Sequence, residues 1–275
     1  MASGYIHTFS ADEQARLVAQ AAFLEPYIFP TIDFSGCARV LEVGCGVGAE
    51  LQILRRRFPQ LHLTGLDFSE PQLAKARELL RADLAAGAVE LHEGSAYELP
   101  FANGSFDGVC LIWVLEHLAE PARALREARR VLRPGGVLSV TEVFNSGLRV
   151  EPACPALATY WRAFDSLQHQ LGGAPDVGAE LGALATAAGF GEIQFRTLPV
   201  RMDARMTDPG QRREFVDYWG ALALSGAGQL LTRGLVSPAL VVAMQLELTA
   251  LAENPMAIYD YPARQVEARK PLEMG

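Results

Sequence analysis

The feature that most constrains this chain is an alternation of short apolar runs and helical segments that begins near residue 38. The runs "ARVLEV", "LHLTGLD", "AVELHEG", "FDGVCLIWVL" and "GVLSVTEVF" are almost continuously apolar, as strands buried on both faces are. The segments "AELQILRRRF", "SEPQLAKARELLRADLAAG" and "PARALREARRVLR" have helical spacing. This alternation predicts a doubly wound α/β sheet, mostly parallel, with helices on both faces.

The segments on either side of this core predict additional elements. "SADEQARLVAQAAFL" has a capping box, Ser10 with Glu13, and predicts an N-terminal helix. "GEIQFRTLPVRM" predicts a sixth strand and "AIYDYPARQVEARKP" a last one, which gives seven strands. Two late helices are expected, from Pro209 to about Leu231 and from Ser237 to Glu253.

These elements predict a division of the chain. Residues 1–35 form a lid helix segment, and residues 36–275 form the main domain. The main domain carries helical cap insertions at about 145–175 and 205–254. We expect the cap to cover the carboxyl edge of the sheet, where ligands of such folds bind.

Three glycines, Gly44, Gly46 and Gly48, interrupt the chain directly after the first strand. Glycine permits a sharp turn and close approach of a ligand to the backbone. Two ligand classes use such a turn. A dinucleotide fits G-x-G-x-x-A, which Gly44, Gly46 and Ala49 supply. S-adenosylmethionine fits better with Glu42 ahead of the turn, because a carboxylate attracts a cationic amino group and repels a pyrophosphate.

The second strand ends in Asp67, which Phe68 follows. A carboxylate at this position can accept hydrogen bonds from both ribose hydroxyls. Phe68 can pack against an adenine face. Both ligand classes contain a ribose, so Asp67 does not distinguish them.

Composition excludes several classes of function. A net charge of −8 gives no electrostatic footprint for nucleic acid, and the one run of arginines, Arg55 to Arg57, is expected to be the solvated end of a helix. The four cysteines form no C-x-x-C pair, so we expect reduced thiols and no metal site. No run reaches the ~18 apolar residues of a membrane span, and the N-terminus lacks a secretory pattern. These features predict a cytoplasmic protein, and they leave its oligomeric state open.

The motifs "VLEVGCGVG", "LTGLDFSEPQLAKAR" and "EGSAYELPFANGSFDGVCLIWVLEHLAEPARALREARRVLRPGGVLSVTE" together resemble a known family. This family is the class I, seven-stranded, Rossmann-like methyltransferases that depend on S-adenosylmethionine. The resemblance covers roughly Arg39 to Glu142, with four motifs in the family's order and spacing. It implies a transferase that uses S-adenosylmethionine and releases S-adenosylhomocysteine.

The resemblance also implies the contacts with the cofactor. The glycine turn would border the methionine moiety, Asp67 the ribose and Phe68 the adenine. The loop that normally reads Gly-Asp-Ala is Gly-Ser-Ala here, so Ser95 replaces an acidic contact to the adenine amino group. Trp113 would lie close to the methyl group. The implied cofactor-binding residues are Glu42, Gly44, Cys45, Gly46, Asp67, Phe68, Ser95, Ala96 and Trp113.

The methyl acceptor is less constrained by the sequence. Without an N-P-P-Y segment or a basic patch, we expect a small, partly apolar metabolite, methylated on N, O or C. If the acceptor must lose a proton, His117 is the first candidate for the base, ahead of Glu116 and His7. Candidate pocket residues are Tyr5, His7, Gln20, Trp161, Tyr218 and Trp219, although aromatic residues at helical spacing are usually core.

Three alternatives stay open at this level. The chain could methylate a protein or RNA, or bind the cofactor without methylating. It could also be a nucleotide-dependent oxidoreductase that binds NAD in the glycine turn.

Overall fold

The computed structural model describes Ile6 and residues 10–272. The strands are β1 (Arg39–Val43), β2 (His62–Asp67), β3 (Val89–Glu93), β4 (Phe106–Ile112), β5 (Leu132–Glu142), β6 (Arg149–Glu151), β7 (Gly191–Met202) and β8 (Ile258–Arg269). The helices are α1 (Ala11–Ile28), α2 (Ala49–Arg57), α3 (Glu70–Leu79), α4 (Arg81–Ala85), α5 (Pro121–Val131), α6 (Pro155–Gln170), α7 (Leu181–Ala187), α8 (Pro209–Ser225), α9 (Ala227–Thr232) and α10 (Pro238–Glu253). Short 3-10 helices lie at Phe29–Thr31, Leu115–His117, Asn145–Gly147 and Val177–Ala179.

The strands form one sheet in the order β3-β2-β1-β4-β5-β8-β6, with β7 paired to β8. The first five of these are parallel, and β8 runs antiparallel to its neighbours. The predicted doubly wound, mostly parallel α/β sheet is therefore confirmed. The sheet has an eighth strand that the sequence did not predict: β6 spans three residues and pairs with Ile258–Asp260 at the start of β8.

Burial explains why the central strands read as apolar runs. The first four residues of β1 after Arg39 are all buried, and so are the last five of β4. Helices on both faces exclude water from these strands, so both side-chain directions need apolar residues.

The predicted N-terminal helix is α1, and it starts where the capping box predicts. The Ser10 side chain accepts a hydrogen bond from the Glu13 backbone N–H at 3.3 Å. The helix packs against α2, α8 and β7, so it lies across the main domain. The division into a lid segment, 1–35, and a main domain, 36–275, stays a prediction.

The late helices differ from the prediction in one respect. The helix expected from Pro209 to about Leu231 is divided at Gly226 into α8 and α9. A Cβ atom at Gly226 would lie 2.7 Å from Cε2 of Phe164 on α6. The bend therefore occurs where two helices approach too closely for a side chain.

Two kinds of feature are absent from the described part of the chain. None of the helices in the described part of the chain is long and apolar enough to cross a membrane. Within Ile6 and residues 10–272, no group of three or more His, Cys, Asp or Glu side chains is placed to hold a metal ion.

Candidate functional site

A cavity of about 550 Å³ opens at the carboxyl ends of the central strands, within the ordinary range for small-molecule sites. Its lining falls into two sets. The "glycine end" lies over β1, β2 and β3 and comprises Gly44–Val47, Glu50, Asp67, Phe68, Gln72 and Gly94–Tyr97. The "aromatic end" lies over β4, β5 and β8 and comprises Leu17, Gln20, Val143, Asn145, Trp161, Phe164, Tyr218, Trp219, Leu222 and Tyr261. Trp113–His117, the "113–117 turn", lies between them.

The glycine turn is held in a conformation that favours glycine. Gly44, Gly46 and Gly48 all have positive φ, at 76°, 49° and 77°. The backbone N–H groups of Gly44 and Cys45 both donate to the Leu66 carbonyl, at 2.6 and 3.0 Å. This anchors the turn to the end of β2 and leaves its outer surface, without Cβ atoms at the glycines, facing the cavity.

Asp67, the last residue of β2, holds the glycine turn to the residue that precedes α3. One carboxylate oxygen accepts from the Gly46 N–H at 2.9 Å, and the other accepts from the Ser69 N–H at 2.8 Å. Burial raises the pKa of Asp67, against the lowering by these hydrogen bonds. Each carboxylate oxygen can accept a further hydrogen bond, so Asp67 can still bind hydroxyl groups from the cavity.

The residues predicted to lie near the adenine also line the glycine end. The Phe68 ring is 65% exposed beside the cavity, which is unusual for a large apolar side chain in the described fold. Ser95 and Ala96, in the loop after β3, form part of the cavity wall. The Ser95 hydroxyl accepts a hydrogen bond from the Tyr97 N–H at 3.1 Å, so it also stabilises its own turn.

Glu42 differs from the prediction. It is only 2% exposed and is not part of the cavity lining, so it does not directly border a ligand in this conformation. Burial raises its pKa, and the nearby carboxylates of Glu50 and Asp67 raise it further. Glu50, which was not predicted, lines the glycine end from the first turn of α2. Its position just after the glycines was the available signal.

Desolvation raises the pKa of Glu50 to about 7, against the lowering by a backbone hydrogen bond and by Arg16. Glu42, Glu50 and Asp67 therefore place three carboxyl groups at the glycine end, and burial opposes the ionisation of each. A cation bound there would stabilise the ionised forms. This charge suits a ligand with ammonium or sulfonium groups and hydroxyls, and it opposes a pyrophosphate.

The 113–117 turn starts with strained backbone. Trp113 has φ of 58°, a left-handed conformation that bulky residues rarely adopt. Its N–H donates to the Thr141 carbonyl at 3.0 Å. The next two N–H groups, of Val114 and Leu115, donate to Oε1 of Glu142 at 2.8 and 2.5 Å.

His117 lies beside Glu116 in the cavity wall. The distance from His117 Nε2 to Glu116 Oε1 is 3.7 Å, and the Gln168 amide donates to the other Glu116 oxygen at 2.6 Å. Burial lowers the pKa of His117, and Glu116 opposes this in part. The imidazole is therefore neutral near pH 7, the state in which it can accept a proton.

The aromatic end brings together residues from distant helices. Trp161 stacks on Phe164 within α6, with ring centroids 5.7 Å apart. Trp219 of α8 lies 5.2 Å from Tyr218 and 4.6 Å from Tyr261 of β8, between ring centroids. Trp161, Tyr218 and Trp219 were predicted pocket residues, and all three line the cavity. Four further lining residues lie in no local motif and were not predicted: Asn145, Phe164, Leu222 and Tyr261.

Helix α1 closes this end. Leu17, Gln20 and Leu24 line the cavity, and Tyr218 stacks on Phe23 at 4.0 Å between centroids. Gln20, a predicted pocket residue, accepts from Arg16 at 2.7 Å. The predicted pocket residues Tyr5 and His7 lie outside the described residues.

Comparison with known proteins gives the family. Residues 41–140 match the model of a methyltransferase domain family. The chain is 34% identical over 160 residues to O-methyltransferase rstn1 of Aspergillus nomiae, covering 57% of this chain and 66% of that protein. It is 31% identical over 198 residues to O-methyltransferase resE of Aspergillus sclerotiorum, covering 70% and 69%.

The match does not extend over the whole of every relative. With a demethylmenaquinone methyltransferase of Desulfitobacterium hafniense, identity is 31% over 144 residues, 52% of this chain and 54% of that protein. The chain thus spans about half to two thirds of the first curated relatives it matches.

Solved structures agree in fold. A Haemonchus contortus phosphoethanolamine N-methyltransferase 2, in complex with S-adenosylhomocysteine, superposes with a TM-score of 0.58 at 18% identity. The aligned region covers 96% of this chain and 58% of that one. The chain belongs to the class I methyltransferases, and its cofactor is S-adenosylmethionine.

Proposed function

We propose that this enzyme methylates a small, uncharged and partly apolar acceptor that binds in the aromatic end. The observation that carries this proposal is the wall of the aromatic end, where rings from α6, α8 and β8 meet beneath α1. Such a surface binds flat apolar molecules through burial and ring contacts. The relatives named as O-methyltransferases and as a demethylmenaquinone methyltransferase support a small-molecule acceptor.

Charge supports an uncharged acceptor. The cationic side chains in the described lining are Arg16 and Arg123. Arg16 makes a bidentate pair with Glu13, at 2.8 and 2.6 Å, and Arg123 lies 3.7 Å from Glu120. Neither presents an uncompensated charge to a phosphate or carboxylate, and Glu116 would repel one.

We further propose how the glycine end holds the cofactor. Asp67 accepts hydrogen bonds from the ribose, and Phe68 packs on the adenine, with Ser95 and Ala96 at its edge. Gly44, Cys45 and Gly46 surround the methionine moiety, and Glu50 balances its cationic groups. Glu42 lies behind the turn, where a bound cation would favour its ionised form. Trp113 borders the space where the two ends of the cavity meet.

When bound, S-adenosylmethionine supplies an electrophilic methyl group on a sulfonium. The protein's contribution is alignment of the acceptor and exclusion of water, by the rings of the aromatic end and by α1. Neutral His117 accepts the proton of an acceptor hydroxyl. Glu116, at 3.7 Å, then stabilises the resulting imidazolium. A neutral amine acceptor would need no base before transfer.

The experiment begins with calorimetric titration of S-adenosylmethionine, S-adenosylhomocysteine and NAD. A radiolabelled methyl-transfer screen then follows, in which each neutral phenol or naphthol is paired with the same ring bearing a carboxylate. We expect turnover of neutral members and little of their charged partners. Label in protein or RNA fractions would favour a macromolecular acceptor. Binding without any turnover would favour a relative that does not methylate.

With a hydroxyl acceptor, His117→Ala should lower kcat roughly 100- to 10,000-fold, the usual contribution of a general base. Affinity for S-adenosylmethionine should stay unchanged. The wild-type rate should rise with pH only below the ordinary histidine value of 6.5 and then level off, because the pKa of His117 is lowered. Exposed His169 supplies the control, His169→Ala, which should keep full activity. Wild-type kcat in His117→Ala would remove the base from the mechanism.

A further inference from the structure

Glu142 is a buried carboxyl group that the mechanism does not use directly. It is the last residue of β5 and is 0% exposed. It is not part of the cavity lining, so it does not touch a ligand. Burial, and secondarily Glu116, raise its pKa to about 8. A buried carboxyl group costs stability unless its hydrogen bonds compensate, so its contacts require an explanation.

Two of the hydrogen bonds that Glu142 accepts come from the 113–117 turn. One oxygen, Oε1, accepts from the Val114 N–H at 2.8 Å and from the Leu115 N–H at 2.5 Å. The regular sheet pairing between β4 and β5 ends just before, at Ile112 with Thr141. Beyond that point the turn leaves the sheet, and Glu142 provides acceptors that a neighbouring strand would otherwise supply.

The turn needs such support because its first residue is strained. A left-handed non-glycine residue costs ~1–3 kcal/mol and persists only where its surroundings hold it. Trp113 has this conformation, and the bonds of Glu142 fix the two residues after it. The same turn carries Glu116 and His117 into the cavity wall.

A second anchor holds the turn from the opposite direction. The Glu116 carbonyl accepts from the Ala174 N–H at 2.7 Å, and the Gln168 amide holds the Glu116 side chain. Glu142 thus fixes the backbone of the turn, and Gln168 separately fixes the orientation of the Glu116 side chain. An apolar residue at 142 would fill the space but leave two buried N–H groups without an acceptor.

We propose that Glu142 is a positioning residue for methyl transfer, holding the 113–117 turn so that Trp113 and His117 face the space between the two ends of the cavity. This inference rests on the proposed roles of Trp113 and His117. The turn requires an oxygen acceptor at the end of the residue 142 side chain. The acceptor does not have to carry a negative charge.

Three variants test the proposal. Glu142→Gln keeps a carbonyl oxygen at the same reach, Glu142→Leu removes the acceptor at similar volume, and Glu142→Asp shortens the reach by one methylene. Hydrogen exchange of the peptide spanning 112–118 is measured first, without any acceptor. We expect exchange about tenfold faster or more in Glu142→Leu, since each lost bond to a carboxyl group weakens protection by that order. Glu142→Gln should match the wild type, with Glu142→Asp between them.

Turnover then separates positioning from general stability. With an acceptor from the screen, kcat should fall about tenfold or more in Glu142→Leu, in step with its loss of exchange protection, while affinity for S-adenosylhomocysteine changes less than threefold. Glu142→Gln should restore kcat. Equal losses in Glu142→Gln and Glu142→Leu, or a parallel fall in kcat and affinity, would overturn the proposal. If Glu142→Leu does not fold, the contrast of Gln with Asp gives the same decision.

The exchange measurement does not depend on whether an acceptor is found. Unchanged exchange in Glu142→Leu shows that Glu142 does not hold the turn, whatever the reaction is. Faster exchange with unchanged kcat overturns the positioning role and leaves the proposed function intact. A failed acceptor screen together with faster exchange counts against the proposed acceptor class alone.

Discussion

The glycine end and the aromatic end of the cavity are built by different means. At the glycine end the backbone forms most of the surface. Its N–H groups and left-handed glycines determine the shape of the turn, and a few side chains add to the lining. At the aromatic end the surface consists of side chains from α1, α6, α8 and β8. Backbone geometry suits a ligand that is always the same, whereas a wall of side chains can be changed for each acceptor.

The two ends also differ in charge. Glu50 and Asp67 face the glycine end, with Glu42 buried behind them, whereas rings and a few polar groups form the aromatic end. The 113–117 turn separates these environments. A variant at one end should therefore change binding of one ligand and leave binding of the other nearly unaffected.

The largest effect is expected for Gly44→Ala. Alanine at φ of 76° is strained, and its Cβ would lie 2.5 Å from Cγ2 of Val114 in the 113–117 turn. Left-handed strain of ~1–2 kcal/mol and overpacking of ~1–3 kcal/mol together predict a loss of S-adenosylmethionine affinity of about 30-fold or more, measured by calorimetry.

The control is Gly36→Ala, where nothing lies within 4 Å and φ is outside the left-handed range. This variant should bind S-adenosylmethionine like the wild type. If Gly44→Ala kept wild-type affinity, the backbone of the turn would not determine the glycine end.

The glycine end was largely predictable because its signals are local. Gly44 and Ser95 follow strands and Asp67 ends one. The carboxyl ends of parallel strands meet at one edge of a sheet. The order of strands and helices alone therefore places these residues together. Glu50 was missed because an acidic residue in the first turn of a helix has an ordinary structural explanation.

The intermediate effect is expected for Asp67→Ala. Loss of hydrogen bonds to a carboxylate costs ~1.5–3 kcal/mol, which predicts affinity for S-adenosylmethionine lower by about 10- to 100-fold. Asp67→Asn, which keeps one carbonyl oxygen for the Gly46 or Ser69 N–H, should lose less. Both are measured by titration, with circular dichroism to verify the fold.

The matched control comes from the other end of the cavity. Tyr218→Phe removes one hydroxyl from the aromatic end and should leave S-adenosylmethionine affinity unchanged, while it alters KM for the acceptor. Equal weakening of cofactor binding by Tyr218→Phe and Asp67→Ala would show that the two ends are not separate.

The aromatic end could not be predicted in detail because its residues meet only in the folded chain. Trp161 and Trp219 are 6.4 Å apart between ring centroids but lie on different helices. Aromatic residues at helical spacing occur both in cores and in pockets, so the sequence cannot separate Trp219, which lines the cavity, from Phe215, which does not. Tyr261 and Asn145 share a hydrogen bond of 2.7 Å across a long sequence separation, and no spacing rule indicates it.

The smallest effect is a pH dependence that distinguishes the ends by charge. The pKa of Glu50 is raised to about 7, so Glu50 is largely protonated at pH 6 and ionised at pH 8. A cationic ligand pairs with the ionised form, and its binding releases the proton below pH 7. Affinity for S-adenosylmethionine should therefore increase about 3- to 10-fold from pH 6 to pH 8 and then level off. The bound follows because a carboxyl group with a pKa of about 7 is about one tenth ionised at pH 6 and about nine tenths ionised at pH 8.

Glu50→Gln should flatten this dependence, because the amide does not titrate. S-adenosylhomocysteine, which lacks the sulfonium charge, should show a weaker dependence in the wild type. Acceptor KM should depend on His117 instead and stay constant above pH 6.5, since burial lowers the pKa of His117 below that ordinary value. If Glu50→Gln kept the full pH dependence, the charge that the glycine end presents would have to come from Asp67 and Glu42, and Glu50 would only line the cavity.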